Sequence, residues 1–371
     1  MICNGIKARD FRNIVFADVA FSDGINVLYG DNAQGKTNLL EAIYYMAIGK
    51  SFRGAKAAEM VRFGCDMFEL SMDFSDSVRR RNLCMRLSSG GKRAATENGC
   101  RVESLSSLVG TFRAVLFCPE HLLLVKEGPA LRRNFLDVAI CQLRPMYLCA
   151  LQRYNRILKE RNALLKHAED DMRTFRETIE YWSTALAAEA AVIASTRLSY
   201  IKETDGVARD CFSDMTSGNE TPSFHYMGTA HLDEDAYVDE VLVRRKFTEL
   251  LLSHHDREIA AGTTLWGTHR DDIEILLNGK PARVYASQGQ QRSIALAMKL
   301  AEGEISRRFT TEYPVFLFDD VLSELDEGRR SYLLSRITDR QVIMTSCERV
   351  RADNARIIAV RGGEYGSEGS D

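Results

Sequence analysis

Residues Gly30-Asp31-Asn32-Ala33-Gln34-Gly35-Lys36-Thr37 form a GxxxxGKT run, preceded by the apolar segment Ile25 to Tyr29 and followed by the helix-like stretch Asn38 to Tyr44. Strand, glycine loop and helix in that order frame a phosphate-binding α/β domain. The glycines Gly30 and Gly35 let the backbone turn, so that the N–H groups of Asp31, Asn32, Ala33 and Gln34, and then the helix start at Asn38, converge on an anion. At this spacing Lys36 reaches β- and γ-phosphates and the Thr37 hydroxyl reaches Mg²⁺. Nucleotide binding, with ATP and Mg²⁺ as the expected cofactors, is the chemistry this run predicts. Ala33 stands where the phosphate-loop consensus has its second glycine, and its methyl group is expected to fit only at a negative φ.

The second half of the chain carries the partners such a loop needs. Pro314-Val315-Phe316-Leu317-Phe318 reads as an apolar strand with proline at its start, where no ladder donor is lost, and it ends in Asp319-Asp320. This is a Walker B pattern: Asp319 is expected to bind Mg²⁺, and Asp320 to orient or deprotonate the attacking water, so Lys36, Asp319 and Asp320 are the catalytic candidates and Thr37 and Asp319 the metal ligands. Upstream, Ser287-Gln288-Gly289-Gln290 leads into a helix predicted over 293–309, and alone it is a serine-capped helix start. With Asp319-Asp320 and then Ser323-Glu324-Leu325-Asp326 downstream, the order becomes signature, Walker B, D-loop. That order resembles ABC-type ATPase heads, in which the signature of one subunit caps the nucleotide of another.

Composition bounds the rest. The chain has 371 residues, 45% of them apolar, enough for one or two cores. Its nine cysteines are scattered, with no CxxC spacing, which fits reduced thiols rather than a disulfide frame or a zinc site. The segment Met1 to Asp10 lacks the pattern of a secretory signal, and the most apolar helix candidate, Ala185 to Ile201, carries Glu189 and Arg197, so a cytoplasmic protein with no membrane span is expected. A net charge of −3 confines any DNA contact to a local patch. The candidates are Arg79, Arg80, Arg81, Arg86, Lys92 and Arg93 in one cluster and Arg153, Arg156, Lys159, Arg161 and Lys166 in another, each equally readable as a solvated charged face.

Patterning predicts an α/β head interrupted by helices. Residues 1–118 alternate strand-like runs (Ile14 to Phe21, Phe68 to Phe74, Leu83 to Leu87) with turns, and form the first part of the head. Residues 119–212 lose strand signals and show helical spacing, as in Leu148, Leu151, Tyr154, Ile157, Leu158 and Leu165, so they form a helical insert. Residues 213–371 are expected to return to the head, with one long helix from Asp235 to Ile259. An insert of this size holds a short lobe and not a long coiled coil, which rises only about 1.5 Å per residue.

Several runs taken together carry a narrower resemblance: Asp10-Phe11-Arg12-Asn13, Gly35 to Ile43, Gly49-Lys50-Ser51-Phe52-Arg53, Arg132 to Asp137, Gly267-Thr268-His269-Arg270-Asp271-Asp272, Ser287 to Arg292 and Asp319 to Asp326. As a set they resemble the RecF family of bacterial DNA replication and repair proteins, relatives of the SMC-type heads. The resemblance implies an ABC-type head with a mixed β-sheet, and a nucleotide site that includes Arg12 and Asn13. It implies that Ser287, Gln288, Gly289 and Gln290 act in trans in an ATP-dependent homodimer. It further implies binding to gapped DNA and single/double-strand junctions, work with RecO and RecR to load RecA, and a place in the SOS response to DNA damage. Arg132 and Arg133 lie in one of these runs, yet pairing with Asp137 suits them equally well; His269 by itself reads as a satisfied structural histidine. Asp320 stands where related heads carry glutamate, and Thr345-Ser346-Cys347 where transporter heads carry a switch histidine, so slow, DNA-stimulated hydrolysis is expected. Gln142 is one candidate for the Q-loop position. A transporter-type nucleotide-binding subunit, or a DNA scaffold using ATP only as a conformational ligand, are the alternatives.

Overall fold

The structure, a computed structural model, describes residues 1–216, 218, 220–348 and 355–367. In chain order, β1 (Ile2–Phe11), β2 (Ile14–Ala20), β3 (Ile25–Tyr29), α1 (Lys36–Ile48), α2 (Ala57–Met60), β4 (Met67–Ser75), β5 (Arg80–Ser88), β6 (Arg93–Glu97), β7 (Cys100–Arg101) and β8 (Ala114–Phe117) come first. Then follow α3 (Pro129–Leu143), α4 (Pro145–Lys166), α5 (Met172–Thr216), β9 (Pro222–Met227), α6 (Glu240–Ser253), α7 (His255–Ala261), β10 (Asp272–Leu277), β11 (Lys280–Pro281) and α8 (Ala282–Tyr285). The chain closes with α9 (Gln288–Thr310), β12 (Val315–Phe318), α10 (Glu327–Arg336), β13 (Val342–Ser346), β14 (Arg356–Arg361) and β15 (Glu364–Ser367). It divides into two compact units, Met1–Leu123 with Met298–Asp371, and Leu124–Ala297.

The first unit holds two six-stranded sheets. One, in the order β2-β1-β4-β5-β6-β7, is antiparallel. Its strands alternate: Phe68, Leu70, Met72 and Phe74 of β4 are buried, as are Leu83, Met85 and Leu87 of β5, the period-2 pattern of a sheet with one wet face. The other, in the order β15-β14-β3-β13-β12-β8, is parallel except for the terminal β14–β15 hairpin. Here β8, β12 and β13 are buried at every position, as strands covered on both faces must be.

Helix α1 lies between these sheets, touching β1 and β4 on one side and β8 and β13 on the other. Most of its residues are therefore buried, and Tyr45 meets Phe68 edge to face with ring centroids 5.7 Å apart. Gly49, at φ 72, ends it by donating its N–H to the Tyr45 carbonyl at 2.8 Å. The mixed α/β head expected around residues 25–44 is thus present.

The second unit is built on α5, a helix of 45 residues covered by α4, α6 and β9. Covered on several sides, α5 is a core helix and not one arm of an extended coiled coil. The structure differs from expectation in two places. The boundaries anticipated at 118/119 and 212/213 lie instead at 123/124 and 297/298. Residues 213–297 group with the helices because β9 and β10 pair with each other in a separate three-stranded sheet, β11-β10-β9, rather than with a head strand. The single helix anticipated from Asp235 to Ile259 is broken. Asp239 caps α6 by accepting from the N–H groups of Val241 and Leu242, and His254, at φ −124 and ψ 28, interrupts the run before α7.

Candidate functional site

Sheet order explains where the site sits. Strand β3 lies between β13 and β14, so the loop that leaves its C-terminal end at Gly30 emerges beside the end of β13. Crevices at the carboxyl ends of parallel strands are where such sheets bind ligands. Gly35, at φ 110, is the N-cap of α1 and supplies a left-handed turn that side chains resist. Ala33 departs from its expectation: its φ is 63, not negative. The loop is tied down on both sides of it, with the Cys347 thiol donating to Asn32 Oδ1 at 2.8 Å and Gly363 N–H donating to the Gln34 carbonyl at 2.9 Å. Those anchors hold an alanine in a conformation that costs it about 1–2 kcal/mol.

Walker A and Walker B meet. Thr37 Oγ1 donates to Asp319 Oδ1 at 2.7 Å, and Thr345 Oγ1 donates to the same oxygen at 3.1 Å. Burial pushes the Asp319 carboxyl above the usual range, the Thr37 and Thr345 hydroxyls pulling the other way. The Asp320 N–H donates to Thr345 Oγ1 at 2.9 Å, which leaves the Asp320 side chain exposed beyond the strand. Lys36, only 7% exposed, donates from Nζ to the carbonyls of Gly30 and Asp31 and lies 3.3 Å from Cys347 Sγ. Thr37 and Asp319 together present hard oxygen donors, a set that fits Mg²⁺. In the sequence Thr345 stands out only as the place without a histidine. Its signal was a hydroxyl one position before the end of a buried parallel strand beside β12.

Arg12 and Asn13 are brought to the loop differently. Asn13 Oδ1 accepts from Asn38 Nδ2 at 2.7 Å, so it braces the start of α1. Arg12 is committed elsewhere: its Nε and NH2 donate to the two oxygens of Glu41 at 2.9 and 2.7 Å, and NH1 donates to the Glu59 carbonyl at 2.8 Å. Glu41 is fully buried within α1, and this two-pronged contact is what allows a carboxylate there. Beside them opens a cleft of about 540 Å³ lined by Arg12, Asn38, Arg53, Glu59, Arg62 and Phe63.

The signature run lies in the second unit, in the first turn of α9, which begins at Gln288 and so starts earlier than anticipated. Ser287 Oγ accepts from the Gln290 N–H at 3.2 Å while Gln290 Oε1 accepts from the Ser287 N–H at 2.6 Å. That reciprocal pair is a capping box. Ser287 and Gln288 are exposed, Gly289 and Gln290 half-buried, and Gln290 Nε2 also donates to Glu220.

Several cationic candidates resolve into structural pairs. Arg81 binds Glu97, Arg86 binds Glu69 at 2.9 Å and Arg153 binds Glu189 at 2.6 Å. Arg161 is fully buried and is held by Glu258, Thr264 and Ser183, so it cannot reach DNA phosphates. Arg79, Arg80, Lys92, Arg93, Arg156, Lys159 and Lys166 remain exposed. Arg132 pairs not with Asp137 but with both oxygens of Asp272, at 2.7 and 2.8 Å, and Arg133 donates to the Asp271 carbonyl. Asp137 is taken by Arg197 from α5 at 2.8 Å, because the helical spacing points it toward that neighbour. His269 Nδ1 shares a hydrogen bond with Tyr154 at 2.6 Å and Nε2 one with the Thr264 carbonyl, and burial lowers its pKa to about 4. Gln142 lies within α3 of the second unit, where Nε2 donates to the Val138 carbonyl. Among the described residues no helix is long and apolar enough to cross a membrane, and no cluster of three or more His, Cys, Asp or Glu could hold a metal by itself.

Comparison with known proteins gives the family of the chain. The family model of the RecF/RecN/SMC N terminal domain matches residues 2–362. The chain is 36% identical over 354 residues to the DNA replication and repair protein RecF of Acetivibrio thermocellus, covering 95% of each. To that of Ligilactobacillus salivarius it is 38% identical over 347 residues, covering 93% of this chain and 91% of the other. The solved structure of the recombination mediator protein RecF with ATPrS in the RecFOR pathway superposes with a TM-score of 0.93 at 32% identity, covering 99% of this chain and 98% of that one. An SMC head bound to the C-winged helix domain of ScpA, at 15% identity and a TM-score of 0.57, shares the fold alone. With its phosphate loop joined to its Walker B aspartate and with relatives matched along nearly its whole length, this chain belongs to the RecF family of DNA replication and repair proteins, within the RecF/RecN/SMC N-terminal domain group.

Proposed function

We propose that this chain is an ATP-dependent DNA-binding protein of recombinational repair and replication, in which ATP links two copies on DNA and slow hydrolysis releases them. The observation that carries the reading is the Thr37–Asp319 contact, which joins the two halves of a nucleotide site across 282 residues of sequence. RecF relatives, one of them solved with ATP at 32% identity, support the choice of nucleotide. Thr37 and Asp319 would hold Mg²⁺, which supplies charge neutralisation at the phosphates when bound. Lys36 Nζ, now on backbone carbonyls, has its donors at the mouth of the loop, and the loop N–H groups and α1 N-terminus supply the rest of the anion site. The cleft beside Asn38 offers a seat for the base, with Arg12 shaping its wall from its anchor on Glu41.

Asp320 sits next to Asp319, with its N–H fixed by Thr345, as the candidate to orient the attacking water. It is one methylene shorter than the glutamate of related heads, which supports slow turnover. Ser287 to Gln290 of a second copy would close over the γ-phosphate, so that ATP stabilises the closed dimer by its differential affinity for it. The exposed Ser287-Gln288 surface leaves that role open to them. Gapped DNA and single/double-strand junctions as substrates, and RecO, RecR and RecA as partners, come to this chain from the family.

Analytical ultracentrifugation of wild type and Ser287→Arg with ATP, ADP and a slowly hydrolysed analogue, with and without gapped DNA, tests the reading. Wild type should dimerise with ATP and the analogue and not with ADP. Ser287→Arg should still bind ATP as a monomer and fail to dimerise. Normal dimerisation of that variant would refute the trans arrangement.

A further inference from the structure

The terminal hairpin of the chain touches the phosphate loop at three successive points. The Gly362 N–H donates to Gln34 Oε1 at 2.5 Å, the Gly363 N–H donates to the Gln34 carbonyl at 2.9 Å, and the Tyr365 hydroxyl donates to the Gly35 carbonyl at 2.9 Å. The Gly35 carbonyl already accepts the first N–H groups of α1, from Asn38 and Leu39 at 3.0 and 3.1 Å, so the tyrosine adds a third donor at the helix start. Burial raises the Tyr365 pKa, which keeps the hydroxyl protonated and available to donate. The approach is close. A Cβ on Gly35 would lie 3.2 Å from the Tyr365 hydroxyl and 3.1 Å from Asn13 Oδ1, and one on Gly30 would lie 2.3 Å from the Val360 carbonyl of β14.

Phosphate binding by a loop of N–H groups depends on their being aimed before the ligand arrives, since a loop that must order itself loses affinity by the cost of ordering. Ala33 sharpens the need here, because a left-handed alanine is a conformation the loop leaves unless it is held. The Gln34 carbonyl accepts from the hairpin, and the Gly35 carbonyl accepts from the hairpin and from α1 together, so both peptide groups have their orientation fixed by protein contacts alone. We propose that Tyr365 and the Gly362–Gly363 turn are positioning elements for ATP binding: they fix Gln34 and Gly35 so that the loop is formed in advance. Tyr365 acts through the Gly35 carbonyl and not on the nucleotide. This rests on the reading that the loop binds ATP.

Tyr365→Phe in the full chain removes one hydroxyl and keeps the ring. Hydrogen exchange of peptides covering 31–37, measured without nucleotide, should quicken in this variant, while exchange elsewhere in the first unit and the thermal midpoint stay at wild-type values. ATP and ADP affinity, measured by isothermal titration calorimetry, should fall by about five-fold, the effect of one net hydrogen bond. Wild-type exchange at 31–37 together with wild-type affinity overturns the proposal. So does a lowered midpoint with faster exchange throughout the unit, which would make Tyr365 merely structural. If the wild type itself does not bind ATP, the functional reading fails, and the exchange comparison alone decides whether the hairpin sets the loop.

Discussion

Single side chains show most clearly what a sequence motif conceals. Arg12 lies in a family-like run and was expected at the nucleotide, yet its guanidinium is spent on Glu41, a carboxylate that α1 buries completely. Nothing in the spacing of residues 12 and 41 announces that pair, because it depends on β1 and α1 being packed together. Ala33 and Arg161 were hidden for the same reason: a φ of 63 and complete burial are set by neighbours distant in sequence. The meeting of Thr37 with Asp319, by contrast, was legible, because the loop spacing and the strand-ending carboxylate mark both positions in the sequence. His269 offers a measurement at this scale. Its folded pKa of about 4 lies below the unfolded value of about 6.5, so the unfolded chain takes up a proton that the folded one refuses. Its contribution to stability is present above pH 6.5 and is lost as pH falls toward 4, up to about 3 kcal/mol. Asp271, raised by burial, works in the opposite direction, so the test is a difference. Urea unfolding of His269→Gln should show a shallower fall in stability than wild type between pH 6.5 and 4, and equal slopes would show that this imidazole does not govern the acid limb.

At the scale of elements, α9 carries two meanings in one turn. Ser287 caps the helix, accepting from the Gln290 N–H, and is exposed, as the proposed contact with a second copy requires. The two roles separate by substitution. Ser287→Ala removes the cap and should cost about 1 kcal/mol, read as a lower midpoint in denaturant, while ATP-dependent dimerisation survives in weakened form. A variant with unchanged stability would show that Gln290 alone sustains the helix start. The same helix is keyed to the Walker B strand, since Gly303 lies against Phe316 so closely that a Cβ there would fall 2.2 Å from the ring. Strands β4, β5 and β12 were readable from alternation or from an unbroken apolar run, because burial of one or both faces writes itself directly into residue type. The break between α6 and α7 was not, since a helical pattern continues across His254 and only local geometry divides it.

For the molecule as a whole, charge pairing decides what the surface offers to DNA. With a net charge of −3, binding must come from cations that carboxylates have not already engaged. Arg86 is engaged, by Glu69 across neighbouring strands. Arg86→Ala should therefore change DNA affinity less than about two-fold and leave its salt dependence intact, since each phosphate contact contributes about −0.9 to the slope of log K against log salt. A slope reduced by that amount in a fluorescence anisotropy titration would return Arg86 to the interface. The division into units was only half legible: the loss of strand signals marked where the first unit stops, but β9 and β10 look like head strands until their pairing is known. The strand order of the parallel sheet also bears on synthesis. Strand β3 is made before the whole of the second unit, but both its neighbours, β13 and β14, are made after it. Residues 124–297 are contiguous and can gather as soon as they emerge, whereas the loop after β3 has no flanking strand until β13 and β14 have followed them. A chain that stops short of β13 therefore leaves the run Gly30 to Thr37 without the strands that flank β3, and is expected to hold no formed loop.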